Sequence, residues 1–183
     1  MQKFSFLLLK IALSYFVIVS ILLLPPVVML LEYTAYNFAP PKIDVLQIRR
    51  ATASALSIVV LDQKNDTPYS VSEVNHLVDV HYLLIAFYTL SGILIIVRVV
   101  VRNAPQWKDK CEIYEKPVLA FILISILCTA FFPVFFEAFH RILFPQGNYA
   151  FAENSILIQT FPPVFWLLEF LCLQVGVILL MLF

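Results

Sequence analysis

The sequence is poor in charge. Asp, Glu, Lys and Arg make up 13% of its 183 residues, and the 12 basic and 12 acidic side chains cancel. So little polar surface does not coat a soluble globule, and the cancelled charge excludes the basic footprint of a nucleic-acid-binding protein. Glycine is scarcer still, with three residues; there is no phosphate loop, no Gly-x-Ser-x-Gly elbow and no His-x-x-x-His. The cysteines, Cys111, Cys128 and Cys172, fall in a basic loop and in the middle of two apolar runs. That placement offers neither a disulfide framework nor metal-type spacing, and no thiol nucleophile on the outer side.

What is present is apolar: 62% hydrophobic residues, 15% aromatic residues and a mean hydropathy of +0.93. The expectation is an all-α membrane protein, a single membrane domain over 1–183 with four transmembrane helices at about 11–31, 77–101, 117–144 and 156–183. Lys3 and Lys10 precede the first run as in a signal peptide. The run is too long for an h-region and ends without a small-x-small cleavage site, so it reads as a retained span. Pro25-Pro26 predicts a kink in its outer half, and Pro117 suits the first turn of the third helix.

Arg98, Arg102, Lys108, Lys110 and Lys116 crowd the second connection, whereas the third has only Arg141 before it. Basic residues favour the cytoplasmic side, which predicts cytoplasmic termini and an extracytoplasmic first loop. That loop, 34–75, holds Lys42, Arg49, Arg50 and Lys64, a mild opposition that a long loop tolerates. A helix over about 43–61 is expected, amphipathic and lying in or against the outer interface, with packing onto the bundle as a cap the alternative. Residues 62–68 read as a turn or loop, and Ser70 with Glu73 makes a capping-box pattern for the second span.

Against this background two Glu-x-x-His units stand out, Glu73 to His76 and Glu137 to His140. The topology carries both to one aqueous side. Residues three apart share a helix face, so Glu73, His76 and Asp79 form one column and Glu137 and His140 another. Asp79 and Glu137 could orient an imidazole or as easily bond a neighbouring helix end; Glu73 reads as a helix cap and His81 as a packing histidine. Arg50 and Arg141 are candidates for an oxyanion or headgroup, with an interfacial anchor the plainer role. Glu169 interrupts the fourth run and should face the bundle interior.

Three chemistries fit such a pair. With Glu32 and Glu169 the two units mimic the inventory of a di-iron bundle; a bis-histidine haem is the second option; the third is cofactor-free acyl transfer on a lipid-linked substrate that brings its own nucleophile. A non-catalytic lipid-binding protein is the remaining alternative.

The residues that carry the site also carry a resemblance. Tyr69 to Val80, with Glu73, His76, Leu77, Asp79 and Val80, resembles the Glu-x-x-His-(Leu/Met)-x-Asp-Val signature of bacterial lipoprotein intramolecular transacylases. Phe139 to Phe151, followed by Leu157 to Phe165, is similar to that family's second signature, with Tyr149 where tryptophan is expected. The resemblance implies transfer of the sn-2 acyl chain of a diacylglyceryl lipoprotein to the α-amine of its own N-terminal cysteine, in the bacterial cytoplasmic membrane and without a metal or cofactor. Its implied substrate is the lipoprotein among membrane lipids, its implied catalytic residues His76, His140, Asp79 and Glu137, and Arg50, Arg141 and Tyr149 would contact substrate. An α-amine with a pKa near 8 and an imidazole near 6.5 are matched for proton transfer at neutral pH.

Overall fold

The computed structural model describes residues 2–38, 41–64, 66–102 and 115–182. Trp107, Cys111 and Lys108 and Lys110 of the basic loop lie outside the described residues. Every regular element within them is helical: α1 (Gln2–Leu22), α2 (Pro25–Tyr36), α3 (Val45–Leu61), α4 (Val71–Arg102), α5 (Glu115–Ala130), α6 (Phe132–Leu143), α7 (Ile156–Thr160) and α8 (Pro163–Leu182). Two helices, α4 and α8, are long and apolar enough to cross a membrane, and there are up to four crossings if each of two bent pairs is one span.

The first bend, 71° between α1 and α2, falls at Pro25-Pro26 as the sequence predicts. The second is sharper than expected: the run over 117–144 is not one continuous helix but turns by 98° between α5 and α6. Pro133 explains it. Proline has no N–H to donate four residues back, and its ring clashes with that carbonyl, so the helix breaks at Phe131 and restarts with Pro133 in its first turn. The fourth run is likewise divided, into the short α7 and α8, with Pro162 and Pro163 at the division.

At 32 residues, α4 extends about 48 Å, longer than the roughly 30 Å of hydrocarbon. It is therefore longer than a crossing needs. Its start is fixed by a capping box: Ser70 N and Oγ donate to Glu73 Oε2 at 2.8 and 2.7 Å, and Glu73 N donates to Ser70 Oγ at 3.4 Å. The second oxygen of Glu73 accepts from Leu157 N at 2.8 Å, so one buried carboxylate joins the starts of α4 and α7. Ser155 caps α7 in turn.

Helix α3 buries Ile48, Ala51, Thr52, Ala55, Ile58 and Val59 and packs along α4 and α7. Its orphan carbonyls find partners. Asp62 takes a left-handed conformation (φ 54°) at the C-cap, and His81 Nδ1 meets Val59 O at 2.9 Å. Polar bonds tie α3 and its neighbours together: Thr52 donates to Glu32, Tyr69 to Ala51 O and Tyr36 to Thr160 O. Burial pushes the Tyr69 hydroxyl well above the ordinary tyrosine range, so it remains a donor. The core lies between α1, α2, α3, α4, α7 and α8, around Leu22, Leu31, Ile58, Leu77, Leu157 and Phe165.

Candidate active site

His76 sits on the second turn of α4, buried, and His140 on the last turn of α6. The turn between α5 and α6 carries the two side chains together: the imidazoles stack with centroids 6.1 Å apart and planes at 29°. Aromatic rings enclose them. Phe144 and Phe151 lie 4.8 and 5.6 Å from His76, and Phe136 and Tyr149 lie 4.1 and 5.3 Å from His140. The loop from Phe144 to Phe151 thus covers the pair.

The two rings differ in their hydrogen bonds. His140 Nδ1 lies 2.8 Å from the carbonyl oxygen of Phe136. A carbonyl only accepts, so Nδ1 carries the proton and neutral His140 presents an unprotonated Nε2. His76 Nδ1, by contrast, is buried without a partner among the described residues. Neither nearby carboxylate orients an imidazole, contrary to expectation. Asp79 Oδ2 accepts instead from Gln146 Nε2 at 2.9 Å and from Asn148 Nδ2, both on the loop after α6. Glu137 pairs with Arg141 at 2.9 Å on the exposed face of α6, the i,i+4 partner that helical spacing supplies.

Of the candidate substrate contacts, Tyr149 lies in the site and Arg141 at its exposed edge, while Arg50 is exposed on α3. Gln146 and Asn148 are site residues that the sequence reading missed. Their signal is their position, two amides in the second signature beside Tyr149 in a chain with few polar groups.

Behind His76 opens a cavity of about 500 Å³ lined by Phe132, Phe135, Phe136, Phe161, Phe165 and Trp166, with Glu169 deeper in its wall. Its lining is almost wholly apolar, the surroundings an acyl chain requires. The di-iron inventory does not converge: Glu32 is engaged with Thr52, and no three His, Cys, Asp or Glu side chains form a metal-binding group among the described residues.

Residues 4–166 match the model of the family described as lipoprotein intramolecular transacylase Lit. The chain belongs to that family. This transacylase is therefore an acyltransferase of lipoproteins, and its apolar helices fit a membrane protein. Comparison with curated proteins and with solved structures gave no match.

Proposed function

We propose that the protein moves the sn-2 acyl chain of a diacylglyceryl lipoprotein to the α-amine of its N-terminal cysteine, leaving a lyso-form lipoprotein, with His76 and His140 as the proton-transfer pair. The observation that carries this reading is the stacked imidazole pair, one ring held by Phe136 and the other lining an apolar cavity. His140 is the general base, since its held Nδ1–H leaves Nε2 open to the amine. His76 then protonates the leaving sn-2 oxygen or steadies the tetrahedral oxyanion.

The chemistry needs no more than this. Aminolysis of an ester to an amide runs downhill, and both reacting groups belong to one substrate molecule. Holding them in attack geometry supplies about 7–11 kcal/mol of the barrier. The cavity behind His76 holds the migrating chain. Tyr149 walls the reacting centre, and Arg141 and Arg50 anchor headgroups at the surface.

The two bent pairs count as single crossings in this reading, giving four spans with cytoplasmic termini and an extracytoplasmic site; α3 caps the bundle at the outer interface. In a host lacking other N-acylating enzymes, mass spectrometry of lipoprotein N-terminal peptides should find an amide-linked acyl chain and a free sn-2 hydroxyl when the protein is expressed. Peptides that keep both esters and a free α-amine would contradict it.

A further inference from the structure

Two buried side-chain polar atoms lack a hydrogen-bond partner among the described residues, His76 Nδ1 and Asn148 Oδ1. Both are at the site. The orientation of Asn148 is forced, because its Nδ2 donates to the Asp79 carboxylate and an amide oxygen turned toward a carboxylate would repel it. Oδ1 is thus an acceptor, removed from solvent and unpaired, an arrangement that proteins rarely leave empty.

Asp79 adds the charge. Its two donors, Gln146 and Asn148, are both neutral amides and both reach Oδ2. Among the described residues Asp79 Oδ1 has no hydrogen-bond donor, and no Lys, Arg or His pairs with this carboxylate. The Asp79–Asn148 pair therefore presents two open oxygens and a negative charge with no cation to meet it. Asp79 lies one turn beyond His76 on α4, and Asn148 adjoins Tyr149, which packs on His140. What fits is a small cation with several N–H donors, brought by the substrate to the imidazoles.

We propose that Asp79 and Asn148 form the seat of the substrate's α-ammonium group. This rests on the acyl-transfer reading above. Two of the three N–H bonds are received by Asp79 Oδ1 and Asn148 Oδ1, and the third points to an imidazole. The bound ammonium yields one proton to that imidazole, and the resulting amine bonds the ester carbonyl carbon. As the bond from that carbon to the sn-2 oxygen breaks, a second nitrogen proton passes to the oxygen. Ammonium and ester become amide, hydroxyl and one released proton. The seat also selects substrate, because an N-terminus already acylated has neither the charge nor the three donors.

The test uses two unreactive lipopeptides with an ether-linked sn-2 chain, one bearing the α-amine and one des-amino, bound to the full-length protein in lipid nanodiscs. Wild type should hold the amine probe about tenfold or more tighter, the scale of hydrogen bonds to a charged group. Asn148→Ala and Asp79→Asn should bring that ratio close to one with the des-amino affinity unchanged. Equal binding of both probes by wild type, or a wild-type ratio in the variants, would overturn the proposal and leave these acceptors a part in loop folding alone. If Asn148→Ala no longer holds the des-amino probe, the ratio in Asp79→Asn decides, since that substitution keeps the side-chain shape. The ester lipopeptide run in parallel separates the two readings: wild type that rearranges it but ignores the amine in binding defeats the seat and not the reaction.

Discussion

At the scale of single residues, the pair of imidazoles is asymmetric, and the asymmetry comes from the backbone. A helical histidine whose Nδ1 reaches the carbonyl four residues back spends that nitrogen on its own helix, as His140 does on Phe136. His76, inside an apolar and aromatic shell, has no such partner among the described residues. Glutamine substitutions probe the difference. A glutamine at 140 keeps an amide near the Phe136 carbonyl but has no basic nitrogen, so His140→Gln should lower the acyl-transfer rate by about 10²- to 10⁴-fold, the usual worth of a general base, with unchanged thermal unfolding. Rate retention in that variant would argue against His140 as the base. The two histidines are legible in the sequence because an ionisable group in an apolar chain needs a reason. The partners of Asp79 are not, since they come from a loop far along the chain whose path is set by α6 and α7.

Among the elements, two local signals give the geometry its form. The capping box of Ser70 and Glu73 can be read from spacing alone, and the structure adds that the same carboxylate also receives Leu157 N. Glu73→Ala thus removes a cap and orphans a buried N–H together, which should cost about 2–4 kcal/mol and appear as a lower unfolding midpoint in detergent. A midpoint equal to wild type would mean that the bridge contributes nothing. The bend at Pro133 escapes the hydropathy pattern because the apolar run continues through it without interruption. Pro133→Ala restores the missing donor and should favour a straighter passage from α5 into α6. Acyl transfer should then fall, as His140 moves away from His76, even where the protein still inserts in the membrane. Full activity in this variant would show that the 98° turn is held by contacts other than proline.

The molecule as a whole is held by close packing and a few polar bonds between spans. Gln174 on α8 accepts from Tyr15 of α1 at 3.3 Å and from Ser125 of α5 at 3.0 Å, joining three helices. Further along α8, Gly176 lets α1 approach: a Cβ there would stand 2.6 Å from Cδ1 of Ile18. Gly176→Leu should therefore part α1 from α8 and lower stability by about 1–3 kcal/mol, with Ile18→Ala in the same chain recovering much of the loss. If the double variant is no better than the single one, the contact is not the cause. Sequence patterning finds the apolar runs and the Ser70–Glu73 cap. Which runs touch depends on such side-chain fits, and those have no periodic signature.

The central claim is that His76 and His140 move an acyl chain from oxygen to nitrogen within one substrate molecule. Its most direct measurement is single-turnover conversion of a diacylglyceryl lipopeptide carrying an isotopic label in the sn-2 chain, mixed with an unlabelled lipopeptide of different peptide mass. Wild-type protein in nanodiscs should place the label on the α-amine of the molecule that began with it, and His76→Ala and His140→Ala should each slow this by at least about a hundredfold. Label appearing on the other peptide, or alanine variants that convert at the wild-type rate, would contradict it.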